Sequence, residues 1–293
     1  MVIPVMQIPV SRSSYNLTET LHSGQAFRWN KKEIPSRSDN IWHEGVINGI
    51  RVRLTQSDKS IKTILPESSR HLKALLPDYL AIDHDLQTFY SEFSSDKHMA
   101  APIKDYRGLH ILRQDPWECL IAFICSANNN IPRIKSLMDK ISEACGTEYT
   151  DTLGKYYAFP TPKQLNDFGE ESLRNLGLGF RAKYVSKASA MVHLGDIDLP
   201  YLRTVDYHNA LTELVKIPGV GDKVANCVLL FSLEKLESFP VDVWINRVMR
   251  ETYMKDAGLE LPNNRIREWA QSKFGIYAGY INQYLFHSRR LTS

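Results

Sequence analysis

The chain has 293 residues, 43% of them apolar and 24% charged, with a formal net charge of +3; this allows one large or two medium domains around a proper core, and nucleic acid as a partner without requiring it. Its four cysteines, Cys119, Cys125, Cys145 and Cys227, form no C-x-x-C pair and its histidines are scattered, which argues against a zinc site or a cysteine-held iron–sulfur cluster and for free thiols in a reducing compartment. The apolar start MVIPVMQIPV lacks the basic n-region of a signal peptide, and no stretch approaches the roughly 18 apolar residues of a membrane span.

Residues 1–105 read as β-rich. In IWHEGVINGIRVRLTQ, Asn48-Gly49 separates two strand-like runs and suits a type I′ turn, while Ile50, Val52 and Leu54 alternate with Arg51, Arg53 and Thr55. SGQAFRW (23–29) reads as another strand, entered through a glycine. Residues 68–97 turn helical and charged, with Pro and Asp breaks. From residue 106 the pattern is helical. Asp115-Pro116-Trp117-Glu118 is a helix start, with Asp at the N-cap, Pro at N1 and Glu at N3, and WECLIAFICSA follows as a buried helix. Asn128-Asn129-Asn130 interrupts it before IPRIKSLMDKISEA. Thr161-Pro162-Lys163-Gln164 opens another helix in the same way, and LRNLGLGFRAKYVSKASAMV reads as helix, glycine turn, helix. DYHNALTELVKI leads into Pro218-Gly219-Val220-Gly221. Pro240-Val241-Asp242 precedes VWINRVMRETY, and RIREWAQSK and IYAGYINQYLFHSRR close the chain. The expected architecture is α+β, with an N-terminal antiparallel sheet domain at 1–105 and an all-helical body at 106–293.

The chemistry concentrates in LVKIPGVGDKVANCVLLFSL (214–233). Gly219 and Gly221 permit φ > 0 and a close approach by another backbone. Amides of such a turn at a helix N-terminus suit an anion such as phosphate, although a plain helix–turn–helix junction has the same pattern. Lys223 sits on the first helical turn, at the positive end of the helix dipole and beside apolar Val224 and Cys227. Both settings favour a neutral, nucleophilic amine; the alternative is a lysine touching phosphate or solvent. Asp242, 19 residues on, suits the N-cap of the next helix and can still turn one oxygen to a cleft, where it would stabilise a developing positive sugar. The two should lie near each other without a tight salt bridge, which would hold the amine protonated.

IPGVGDKVANCVLLFSL followed by PVDVW resembles the helix–hairpin–helix DNA glycosylases, with that family's catalytic lysine and aspartate. SGQAFRW, CSANNNIPRI, LGLGFRAKYV and YAGYINQYLF resemble segments of its 8-oxoguanine subfamily, in that order, over about residues 20–290. The resemblance implies two helical lobes with the cleft between them. It also implies a bifunctional enzyme that flips oxidised guanine from the duplex, cuts its glycosidic bond and nicks the strand by β-elimination. Lys223 would attack C1′ and form a Schiff base, with Asp242 stabilising electrostatically. Gly24 would accept the N7–H that oxidised guanine has and guanine lacks. Phe286 and Cys227 would cover the two faces of the base, and Asn282 would stand near its Watson–Crick edge. Asn128, Arg133, Phe180 and Arg181 would fill the gap and hold the estranged cytosine, and Gly219, Val220 and Gly221 would dock on the DNA backbone. No organic cofactor or side-chain metal is implied, although hairpin carbonyls of this family can hold a monovalent cation.

Two positions depart from the eukaryotic-type pattern: Trp244 stands where histidine is expected, and Asn282, one methylene shorter, replaces glutamine. Phe180 replaces a tyrosine wedge. Trp244 and Asn282 point to a prokaryotic branch and hence to a nucleoid in the cytoplasm, against a nucleus for a eukaryotic enzyme. The partner expected is duplex DNA containing oxidised guanine, bound by a monomer. The competing readings are a water-using glycosylase for alkylated or other bases and a non-catalytic damage-binding protein.

Overall fold

The alternation at residues 50–55 builds a sheet. In the computed structural model, which describes residues 5–11, 13–33, 41–64, 72–255 and 261–292, β1 (Val5–Pro9), β2 (Asn30–Glu33), β3 (Ile41–Ile47), β4 (Ile50–Gln56) and β5 (Ser60–Ile64) form one antiparallel sheet in the order β1-β5-β4-β3-β2. Asn48 and Gly49 take φ +48° and +76° and close β3 onto β4 with Ile47 opposite Ile50, as a type I′ turn requires. The helices α1 (Leu17–His22) and α2 (Leu72–Tyr79) pack on this sheet. Leu17, Leu21, Val52, Leu54, Leu72 and Leu76 share its apolar core.

SGQAFRW is not a strand. Its side chains do alternate, with Ser23, Gln25, Phe27 and Trp29 buried, but it joins no ladder. Gly24 at φ +87° bends it, and two of its carbonyls are taken by side chains: Gln283 donates to Ser23 and Gln114 to Gln25. The Gln25 amide in turn donates to the Thr20 and His110 carbonyls and accepts from the Leu112 N–H. The periodicity expected of a strand is present without the pairing that defines one.

The helical body comprises α3 (Gln87–Phe93), α4 (Ala100–Asp105), α5 (Pro116–Cys125), α6 (Ile131–Cys145), α7 (Pro162–Leu173), α8 (Arg181–Leu194), α9 (Leu199–Thr204), α10 (Tyr207–Leu214), α11 (Asp222–Ser232), α12 (Val243–Glu251), α13 (Asn263–Phe274) and α14 (Ala278–Thr292). It is not wholly helical: β6 (Glu148–Asp151) and β7 (Gly154–Tyr157) form a hairpin between α6 and α7. This hairpin braces the main sheet, because Arg51 of β4 donates to Asp151 at 2.9 Å and lies over the Tyr156 ring.

Local capping explains where several helices begin. Asp115 accepts from the Glu118 N–H at 2.8 Å, Thr161 and Gln164 form a reciprocal capping box, and Asp206 accepts from Asn209. The apolar packing changes over before residue 105, with Phe27 and Leu112 each crossing to the other core. Leu80 belongs to the sheet core, whereas Leu86, Phe89 and Phe93 join the large helical core, with the Phe89 ring 5.6 Å from Tyr280 and 5.4 Å from Tyr284. Residues 68–71 of the charged helical stretch and Met1–Pro4 lie outside the described residues.

Candidate active site

The start of α11 is fixed by a buried polar network. Arg267 of α13 pairs with Asp222 at 3.1 Å and bonds the Tyr207 hydroxyl, which donates to Asn226; the Asn226 amide donates back to the Asp222 carbonyl. Lys223, next in sequence, is thereby aimed at α5. Its Nζ donates to Ser126 Oγ at 2.9 Å and lies 5.2 Å from the Phe123 ring centre. Ser126 gives its own proton to the Phe123 carbonyl at 2.7 Å, so its oxygen is presented to the amine as an acceptor. The amine is thus held by a neutral hydroxyl.

Asp242 caps α12 and accepts from the Ile245 N–H at 2.8 Å. Among the described residues no ion pair joins it to Lys223, yet both line one pocket of about 360 Å³. Gly24, Cys227, Asn282 and Phe286 line the same pocket, so six residues singled out in the sequence between positions 24 and 286 converge there. Apolar walls with a few convergent polar groups are the lining expected of a small-molecule or base pocket. Burial pushes the Cys227 thiol up to about 11, so it is a neutral, apolar wall rather than a nucleophile.

Gly24 lies between Ser23 and Gln25, whose carbonyls are both claimed. Among the described residues no hydrogen bond reaches its own carbonyl. A side chain there would be strained at φ +87° and would stand 3.0 Å from Ile131 and 3.1 Å from Phe286. Asn282 donates its amide N–H to the Pro240 carbonyl at 2.8 Å. Phe123, Ser126, Phe231, Pro240, Ile245 and Gln283 were not singled out from the sequence, yet all but Ser126 line the pocket and Ser126 holds its amine. Ser126 stands inside CSANNN, where the asparagines carried the more visible signal.

A second group lies apart from the pocket. Asn128 is exposed in the αL conformation, at φ +48°. Arg181, almost fully buried, donates Nε to the Ala127 carbonyl and Nη2 to the Asn128 carbonyl, each at 2.8 Å. It acts here as a strut under Asn128. Phe180 is 49% exposed with the Arg181 guanidinium over its ring, and Arg133 is exposed at the start of α6, whose cap Asn130 accepts the Arg133 N–H. Trp244 and Val243 are exposed on the first turn of α12.

In the hairpin, Gly219 takes φ +87° and any Cβ there would collide with the Tyr184 ring. Gly221 differs from expectation: it is extended at φ −93°, so it needs no left-handed freedom. Open space faces it, however, and no side chain caps the α11 N-terminus. Val220 is buried, and its N–H closes the turn on the Ile217 carbonyl.

Residues 7–120 match the 8-oxoguanine DNA glycosylase N-terminal domain, and residues 121–269 match the HhH-GPD superfamily of base excision DNA repair proteins. An N-glycosylase/DNA lyase OGG1 of Arabidopsis thaliana is 34% identical, over 95% of this chain and 78% of that protein. A probable N-glycosylase/DNA lyase of Methanothermobacter thermautotrophicus is 30% identical over 97% and 96%. The structure of the Clostridium acetobutylicum 8-oxoguanine glycosylase/lyase, in complex with duplex DNA containing cytosine opposite 8-oxoguanine, superposes with a TM-score of 0.87 at 32% identity, covering 96% of this chain and 93% of that one. The 3-methyladenine DNA glycosylase of Archaeoglobus fulgidus, at 22% identity and a TM-score of 0.75, shares the fold.

Proposed function

The chain belongs to the 8-oxoguanine DNA glycosylases of the HhH-GPD superfamily, and from that membership we propose how its residues perform bifunctional glycosylase/lyase chemistry on duplex DNA. The oxidised guanine leaves the stack, because a stacked base hides C1′ from attack. It enters the pocket between Phe286 and Cys227, where the Gly24 carbonyl accepts its N7–H and normal guanine would present a lone pair instead. The Asn282 side chain stands at the Watson–Crick edge and reaches it directly or through a water. The Lys223 amine attacks C1′ as the bond to N9 breaks, and the departing base takes up the proton that the newly bonded nitrogen sheds. Asp242 stabilises the positive sugar. The C1′–O4′ bond then breaks, the remaining nitrogen proton passing to O4′, and the Schiff base so formed acidifies C2′, so that loss of that proton expels the 3′ phosphate and nicks the strand.

At the rim, Phe180 and Asn128 fill the gap, Arg133 donates to the estranged cytosine, and Arg181 supports Asn128 from below while facing the same base. The open N-terminus of α11 at Gly219–Gly221 receives a backbone phosphate, and the turn's carbonyls are the place for a monovalent cation. The enzyme acts as a monomer without an organic cofactor. Its compartment follows its organism: the nucleoid for a prokaryote, which Trp244 and Asn282 favour, and the nucleus for a eukaryote.

The observation that carries this reading is the convergence of Lys223, Asp242 and Gly24 on one pocket, with the amine held by a neutral hydroxyl. Borohydride reduction with an 8-oxoguanine·cytosine duplex should trap a covalent protein–DNA adduct, and Lys223→Gln should abolish it. Trapping that survives the change would remove Lys223 from its role, and base release without strand cleavage would indicate the water-using alternative.

A further inference from the structure

The loop that carries Gly24 is fixed from α14 by a chain of side chains. Arg290 donates Nη2 to the His22 carbonyl at 2.7 Å, two residues before Gly24. The same Nη2 lies 3.0 Å from His287 Nδ1. A guanidinium has no acceptor, so Nδ1 accepts and His287 carries its proton on Nε2. That Nε2–H donates to Glu19 of α1 at 2.5 Å, and the contact holds the Glu19 carboxyl below the ordinary range. His287 is buried, with the Tyr106 ring edge-on at 4.6 Å. At the other end, Arg290 Nη1 lies 3.4 Å from the point where a first side-chain carbon on Gly24 would stand, beside Phe286. Among the described residues Arg290 Nε is buried without a partner, an arrangement that stability alone does not favour.

We propose that Glu19, His287 and Arg290 form a positioning relay that fixes the Gly24 carbonyl, so that His287 and Arg290 set the discrimination between oxidised and normal guanine without touching either base. This rests on the assignment of that carbonyl as the acceptor of the lesion's N7–H. Specificity is a difference of affinities. A carbonyl held rigidly attracts an N–H and repels a lone pair, whereas a carbonyl free to turn escapes the repulsion and loses the difference. Holding the two peptides that precede Gly24 from α14, through Arg290 to His22 and Gln283 to Ser23, removes that freedom.

The test is equilibrium binding of 8-oxoguanine·cytosine and guanine·cytosine duplexes by protein carrying Lys223→Gln, so that no excision intervenes. Arg290→Met, which keeps the apolar stem, and His287→Phe should each lower the ratio of the two affinities roughly tenfold, the lesion duplex binding more weakly and the guanine duplex no more weakly than before. His287→Gln, whose amide donates to Glu19 and accepts from Arg290, should retain the ratio. Circular dichroism confirms that each variant is folded, and the Arg290 and His287 changes test the same link from its two ends. An unchanged ratio in folded Arg290→Met or His287→Phe, or equal loss on both duplexes, overturns the relay. If the parent Lys223→Gln protein binds both duplexes equally, the Gly24 assignment falls first and the relay with it.

Discussion

Asp115 and Asp242 do the same local work in two parts of the molecule. Each precedes a helix, and each accepts the N–H three residues on at 2.8 Å. Asp115 is exposed at the start of α5, while Asp242 is half-buried and faces the pocket shared with Lys223. The cap explains why either residue is present and cannot say which one has a second task. A capping carboxylate has an oxygen left over, and what that oxygen faces is decided by packing from other elements.

Charge removal at the two caps should separate them. Asp242→Asn keeps a good N-cap but removes the charge, and single-turnover excision should fall by about 10²–10³-fold. DNA affinity, measured by equilibrium binding, should change little, because in the proposed mechanism the carboxylate acts on the developing charge. A large affinity loss at an unchanged rate would make Asp242 a DNA contact and dissolve the contrast. The rim offers an intermediate effect. Exposed Arg133 is free to meet the estranged base, whereas Arg181 already holds the Ala127 and Asn128 carbonyls. Arg133→Ala should relax the opposite-base preference by about 1–3 kcal/mol, read from excision opposite each of the four bases. Equal losses against all four would make it a phosphate contact. The smallest effect is at the other cap: Asp115→Ala should cost about 1 kcal/mol of unfolding free energy in denaturant titration, with single-turnover excision unchanged. A fall in that rate would give Asp115 a role beyond its helix.

Much of the helical body was legible because its signals are local. Asp115, Thr161 and Asp242 cap as their neighbours imply, and Asn48-Gly49 turns as its dihedral preference demands. The site was legible as a set of positions, since Lys223, Asp242, Gly24, Cys227, Asn282 and Phe286 do share one pocket. The errors have physical causes. SGQAFRW alternates like a strand, but its carbonyls bond to glutamines from distant segments. The β6–β7 hairpin is short and mostly exposed, which leaves little apolar alternation to detect. Ser126 has no distinguishing local pattern, and its partner lies 97 residues away.

The sequence by itself determined the order of most helices, their caps, the sheet-forming hairpin and the residue types a glycosylase/lyase needs. The tertiary structure alone decided that Ser126 holds the lysine, that Arg181 braces the Asn128 turn, that Arg290 reaches the Gly24 loop, and that the apolar packing changes over between Leu80 and Leu86. The reason is range. Caps and turns are settled within a few residues by dihedral preference and the nearest free amide, whereas a pocket assembled from residues 24 to 286 exists only once the helices carrying them have packed.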